Sequence, residues 1–159
     1  MTADLHIMRL PHGADLPLPR YQSTLAAGLD LHAAVPADAP VTLVPGGRAM
    51  IPTGIAIALP PGTEGQIRPR SGLAVHHGVT VLNSPGTVDG DYRGELQVIL
   101  VNTGAQPFIV QRGLRVAQLV IAPILQANVV ETTSLEVTMR ADSGFGSTGS
   151  GANIIDNKG

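Results

Sequence analysis

Two carboxylates, Asp89 and Asp91, stand two residues apart in the stretch Asn83-Ser84-Pro85-Gly86-Thr87-Val88-Asp89-Gly90-Asp91-Tyr92-Arg93-Gly94-Glu95-Leu96. At that spacing one acid can take a proton while the other holds it in place. Tyr92 adjoins them and offers a flat face at a polar turn, in a chain that is only 3% aromatic. Asn83 carries both a donor and an acceptor, which suits the imide edge of a pyrimidine. The Asp89-Gly90 step between two β-type runs also reads as an ordinary solvated hairpin with acidic turn residues. Taken alone, the stretch supports both readings equally.

Three further stretches carry polar groups suited to an anion. In Arg68-Pro69-Arg70-Ser71-Gly72-Leu73-Ala74, a Gly-containing turn leads into a helix start, where free backbone N–H groups and the positive dipole end attract phosphate. Arg70 adds a bidentate partner and Ser71 a hydroxyl donor; the plainer reading is a Ser N-cap beside a surface Arg. In the tail, Arg140, Ser147 and Thr148 supply phosphate donors, glycines permit close backbone approach, and Phe145 offers a stacking face. Arg115 to Val120 reads as a strand, with Arg115 and Gln118 on opposite faces because their spacing is odd; by itself it reads as an edge strand with polar residues turned outward. Asp30, inside the apolar run Ala27-Gly28-Leu29-Asp30-Leu31, must be paired or hydrogen-bonded if buried, and reads as support for a site Arg. The five His are scattered or, at His76-His77, adjacent, and read as structural or surface residues.

These stretches need a scaffold. Thirteen Pro and nineteen Gly punctuate the 159 residues at short intervals. Between them lie short runs rich in Val, Ile and Leu: Met50-Ile51, Ile55 to Leu59, Val79 to Leu82, Leu96 to Val101, Phe108 to Val110 and Val116 to Ile121. That pattern predicts an all-β sandwich or barrel, with one short helix from about Leu73 to Gly78, starting after Ser71. The expected organisation is one β domain over 1–139 and a C-terminal arm over 140–159, whose Gly/Ser-rich composition is that of a flexible segment. A net charge of −2 argues against a general binder of nucleic acid or of an anionic membrane. The absence of Cys removes disulfides, thiolate nucleophiles and Cys-ligated metals. No apolar run approaches the ~18 residues of a membrane span, and the first twenty residues lack a signal-peptide pattern; a cytoplasmic protein is expected. Charged residues are only 14% of the chain, which fits either a bland surface or one partly buried against copies of itself.

Five stretches in this order resemble the trimeric deoxyuridine triphosphatases: AGLDL (27–31), PRSGLA (69–74), Asn83 to Gly94, RVAQL (115–119) and RADSGFGSTG (140–149). Each is weak alone, and the five together are specific. The resemblance implies a jelly-roll β fold and a homotrimer with active sites shared between subunits. It implies hydrolysis of dUTP to dUMP and pyrophosphate, which keeps uracil out of DNA and supplies dUMP for thymidylate synthesis. Asp89 then corresponds to the general base that activates a water for in-line attack on the α-phosphorus. Tyr92 corresponds to the residue that packs under the sugar and excludes a 2′-hydroxyl. Asn83 and the backbone of the stretch, with Gly86, Thr87 and Val88, correspond to the uracil-reading wall, and Gln97 to a further substrate contact.

By the same resemblance Arg70, Ser71, Gly72 and Gln118 match phosphate contacts. Arg140, Phe145, Gly146, Ser147 and Thr148 match an arm that closes over the nucleotide, and Asp30 and Asp91 match supporting acids. Mg²⁺ is implied as a cofactor held by the phosphates and water, with no protein ligand. Departures are small: Leu114 where an acid is common, Ser143 where Gly is common, Val88 for Ile. A dCTP deaminase and a non-catalytic nucleotide binder share the fold family, and the Asp89-Gly90-Asp91-Tyr92 stretch with the Phe145 tail favours the triphosphatase over both. A bland structural trimer is the remaining alternative.

Overall fold

A computed structural model describes residues 3–139, 141 and 142. In chain order the described elements are β1 (His6–Arg9), a 3₁₀ turn (Pro11–Gly13), β2 (Leu29–His32), β3 (Val41–Leu43), β4 (Arg48–Ala58), β5 (Thr63–Arg68), α1 (Ser71–His77), β6 (Val79–Val81), β7 (Gly86–Val88), β8 (Glu95–Asn102), β9 (Phe108–Val110) and β10 (Arg115–Pro123). They form two four-stranded antiparallel sheets, ordered β1-β4-β8-β6 and β2-β10-β5-β7, and a two-stranded β3-β9 sheet. This is the expected all-β, jelly-roll kind of architecture with one short helix. No described helix is long and apolar enough to cross a membrane.

Alternation builds the core. Along β8, Leu96, Val98, Leu100 and Asn102 are buried while their neighbours are half-exposed. Leu96, Val98 and Leu100 join Ile51, Ile55 and Ile57 of one sheet and Leu29, Leu31, Ile67, Val88 and Leu119 of the other in a single apolar cluster. Two inner faces sharing one core is the sandwich arrangement. Asn102 keeps its inward position because it is fully satisfied: its Nδ2 donates to the Leu43 and Gln106 carbonyls, both at 2.8 Å, and its Oδ1 accepts from the Gly104 amide at 2.9 Å. Removing either partner set would leave a buried amide unpaired, at about 1–3 kcal/mol.

Three local expectations are corrected. The Asp89-Gly90 step is not a hairpin: β7 pairs with β5 and β8 pairs with β4 and β6, so residues 89–94 carry the chain from one sheet to the other. A turn signal reports a reversal, not the partner of the strand that follows. Met50-Ile51 and Ile55 to Leu59 are not separate runs, because β4 passes continuously through Pro52 and Gly54. Its pairing with β8 jumps from Pro52↔Gln97 to Ala56↔Glu95, a bulge that accommodates both residues. Arg115 and Gln118 are not on opposite faces. A register shift between Arg115 and Ala117 inserts one extra residue, pairing Arg115 with His32 and Gln118 with Asp30, and so restores both to one face. The helix stops where expected, at Gly78 with φ +66°, whose amide donates to Ala74 and Leu73.

The chain divides into a unit Met1–Leu125 and a unit Gln126–Gly159. In the second, the described residues contain no helix or strand, and Val129, Leu135, Val137 and Met139 are exposed.

Candidate active site

The first constellation is made of charge. Asp30 is 7% exposed at the middle of β2. Its Oδ1 lies 3.3 Å from Arg70 Nε and its Oδ2 accepts from Arg115 Nη1 at 2.9 Å. Arg70 Nη1 donates in turn to the Arg115 carbonyl at 3.0 Å. Arg70 sits at the extended residue just before α1, and it, rather than Ser71, occupies the cap position, with no side-chain capping bond. Ser71 is the first helical residue; it and Gly72 are exposed, and a Cβ on Gly72 would meet nothing within 4 Å. Gln118 ties the stretches together: its Nε2 donates to the Pro69 carbonyl at 3.0 Å, and a Cβ on Gly28 would collide with its Oε1. Asp30 thus holds two guanidiniums at an open helix start. Beside them, burial depresses the His32 imidazole; Asp30 opposes that effect, while Arg115, Arg20 and Arg70 add to it.

The second constellation is a cavity of about 230 Å³ lined by Met50, Ile67, Asn83, Gly86, Thr87, Val88, Asp89, Tyr92, Glu95, Leu96 and Gln97. Every residue expected on the uracil-reading wall lines it, together with Asp89 and Tyr92. The Asn83 amide packs over Gly86, where a Cβ would come within 3.0 Å of Nδ2 and push the amide aside by a few tenths of an ångström. The turn below Asp89 is closed by the Tyr92 amide donating to the Asp89 carbonyl at 3.1 Å. Arg93 Nη1 donates to the Gly90 and Tyr92 carbonyls, both at 2.8 Å. Among the described residues no hydrogen bond or ion pair joins Asp91 to Asp89, and Asp91 is exposed.

Glu95 and Met50 belong to the cavity and were not singled out by sequence reasoning. Burial pushes the Glu95 carboxyl up, but hydrogen bonds from His12, from the Gly54 amide and from Gln97 outweigh it and hold the carboxyl below its ordinary value. Its partner His12 is 83 positions away, so nothing local announces the pair. Arg140, Phe145, Gly146, Ser147 and Thr148 lie outside the described residues. Among the described residues, no group of three or more His, Cys, Asp or Glu is gathered closely enough to hold a metal ion.

The two constellations lie at opposite ends of β5. Val88 is level with Gly65, so Asp89 falls level with Glu64 near the start of that strand, while Arg70 lies beyond its end. The four steps from Glu64 to Arg68 alone span roughly 13 Å at about 3.3 Å per residue. Arg70 also turns toward β2 and β10, away from β7.

Comparison with known proteins places this arrangement. The chain is 61% identical over 146 residues to the deoxyuridine 5'-triphosphate nucleotidohydrolase of Methylocella silvestris, covering 92% of this chain and 91% of that one. It is 56% identical over 149 residues to the enzyme of the same name from Sinorhizobium medicae, covering 94% and 93%. In fold it is similar to the dUTPase of Staphylococcus bacteriophage 80alpha solved with dUpNHpp, with a TM-score of 0.82 at 24% identity over 93% of this chain and 99% of that one. The dUTPase family model matches residues 14–149, and the chain belongs to the dUTPase family.

Proposed function

We propose that the protein hydrolyses dUTP to dUMP and pyrophosphate at sites completed between copies of the chain in a homotrimer. The observation that carries this reading is the cavity in which Asn83, Gly86, Thr87, Val88, Gln97 and Tyr92 surround the approach to Asp89. Its roughly 230 Å³ is below the ~300–1,000 Å³ of pockets that enclose drug-sized ligands. It suits a nucleoside, leaving the phosphates outside. The names of the relatives at 56% and 61% identity support the substrate.

Asp89 accepts a proton from water as that water's oxygen bonds to the α-phosphorus and the bond to the β-phosphate oxygen breaks. Pyrophosphate leaves in line. General-base assistance is worth about 10²–10⁴ in rate, so positioning and charge must supply the rest. Arg70, Ser71, Gly72 and Gln118 of a neighbouring copy bind the phosphates, with Arg70 held in place by Asp30. The separation of the two constellations along β5 supports a site shared between copies. So does the row of exposed apolar side chains Val129, Leu135, Val137 and Met139, which in water would favour cover by another copy. Asn83 reads the imide edge of uracil; cytosine would leave polar groups unpaired, the stronger form of rejection. The Tyr92 ring under the sugar leaves no room for a 2′-hydroxyl.

When bound with the triphosphate, Mg²⁺ would supply positive charge to the leaving pyrophosphate, while Arg70 and Gln118 would orient the phosphates. The ion's ordinary preference for oxygens of water and substrate phosphate fits described residues that gather no cluster of carboxylates to hold it. Residues 140–159 form the arm that closes on the nucleotide, bringing Arg140, Ser147 and Thr148 to the phosphates and Phe145 over the base, and excluding water. Asp91 supports the turn that carries Asp89. In the cytoplasm the reaction keeps uracil out of DNA and yields dUMP for thymidylate synthesis.

The test is pyrophosphate release with Mg²⁺ from dUTP, UTP, dCTP and dTTP in parallel, with products identified. Release from dUTP alone, leaving dUMP, is expected. No release from dUTP, or ammonia from dCTP, would overturn the reading.

A further inference from the structure

Three elements meet at Glu95 behind the cavity. In the β4 bulge, Thr53 Oγ1 donates to the Leu96 carbonyl at 2.6 Å and the Gly54 amide donates to Glu95 Oε1 at 2.7 Å. Gly54 adopts φ +69°, and its carbonyl accepts from the Leu10 amide at 2.8 Å. The 3₁₀ turn packs directly on this bulge; a Cβ on Gly13 would overlap the Gly54 backbone. That contact delivers His12, whose Nε2 bonds the same Glu95 Oε1 at 2.8 Å. Arg112 secures the turn from the other side, donating to the His12 carbonyl at 2.7 Å and pairing with Asp15. On the cavity side, the Tyr92 hydroxyl donates to the Glu95 carbonyl at 2.9 Å. The residue whose carboxylate is held by His12 and Gly54 is therefore the residue whose carbonyl holds the Tyr92 ring.

We infer that His12 and Glu95 form a clamp that fixes the Tyr92 ring and so sets the width of the sugar end of the cavity. His12 is then a positioning residue for rejection of a 2′-hydroxyl, from a segment outside all five family-like stretches. The inference rests on the proposed dUTP hydrolysis and adds a specificity role to it. Hydrogen bonds to a charged group are among the stronger ones, and the Tyr92 ring, 46% exposed and lying against the Gly94 backbone, has its hydroxyl fixed by the Glu95 carbonyl.

The experiment compares wild type, His12→Ala and His12→Gln for kcat and KM with dUTP and UTP, alongside thermal midpoints. A small change of fit in a pocket is worth roughly 10–200-fold in discrimination, so His12→Ala is expected to lower the dUTP preference by about tenfold. The dUTP kcat should stay within about threefold, because no reacting group is lost. His12→Gln, which keeps a donor, should restore the preference. A folded His12→Ala protein with wild-type preference overturns the clamp, as does a lowered thermal midpoint with no change in preference. If His12→Ala does not fold, His12→Phe, which fills the space without a donor, takes its place, with the same expected loss of preference. If the wild type does not hydrolyse dUTP, the functional reading fails separately, and the clamp is then decided by tyrosine emission. Tyr21 and Tyr92 are the only Tyr and there is no Trp, so in a Tyr21→Phe background Tyr92 reports alone. Greater acrylamide quenching of Tyr92 on His12→Ala supports the clamp; unchanged quenching overturns it.

Discussion

The cavity around Asp89 and the charge cluster around Asp30 are built by different means. The cavity is a backbone construction. A three-residue strand, a turn closed by its own main chain and the start of β8 bring nearly all its lining from residues 83–97, and only Met50 and Ile67 come from elsewhere. The charge cluster is a side-chain construction. Asp30, Arg70, Arg115 and Gln118 come from three distant stretches and meet through the pairing of β2 with β10, whose bulge puts Arg115 on the same face as Gln118. The difference teaches where each is vulnerable. The cavity should keep its shape when a reacting side chain is changed, whereas the cluster should lose shape and function together.

The largest expected effect is at Asp89. Asp89→Asn keeps size and fold, so nucleotide binding should be retained while kcat falls by about 10²–10⁴. Single-turnover kinetics with a dUMP-binding control check this; turnover at the wild-type level would remove Asp89 as the base. Deleting the chain after Met139 comes next. It leaves both constellations in place, so assembly by light scattering should be unchanged while kcat/KM falls by about 10² or more, the scale of lost alignment. Full activity of the truncated protein would sink the closing-arm role.

Asp30→Asn sharpens the contrast. It removes the charge that two guanidiniums share, so KM for dUTP should rise and stability should fall by about 1–3 kcal/mol, the range for a charge-assisted hydrogen bond lost from a mostly buried site. A chemical denaturation curve run beside the kinetics separates the two effects. A loss of affinity with stability unchanged would mean that the cluster does not depend on Asp30 for its shape.

The smallest effect concerns His32. Its folded-state imidazole is depressed below the ordinary value of 6.5, chiefly by burial. Its stabilising contribution is therefore complete above about pH 6.5 and is lost as pH falls through the depressed value, because the unfolded chain binds the proton first. Thermal midpoints at several pH values between neutrality and mild acid should fall less for His32→Gln than for wild type.

Much of this was legible in the chain. The Gly/Pro punctuation announced short strands, Gly78 ended the helix, and the buried Asp30 did prove to be an anchor for arginines. All the residues expected on the base-reading wall line one cavity because they are close in sequence, and local spacing survives folding. What was not legible depends on long-range register. The partner of β8 could not be read from the Asp89-Gly90 turn. The parity of Arg115 and Gln118 was reversed by a single extra residue at Val116. Glu95 was one more outward position of an alternating strand until His12, far away in sequence, was seen beside it.

The central claim is that the Asp89 cavity of one copy works with the Arg70 cluster of another. The most direct test refolds Asp89→Asn and Arg70→Ala chains together in equal amounts, with mixed trimers verified by native mass spectrometry. Each variant alone should be nearly inactive. With random assembly roughly three-quarters of the trimers are mixed, and each has about one intact site in three, so about a quarter of wild-type activity should return. A verified mixture that stays as inactive as either variant alone would contradict the account.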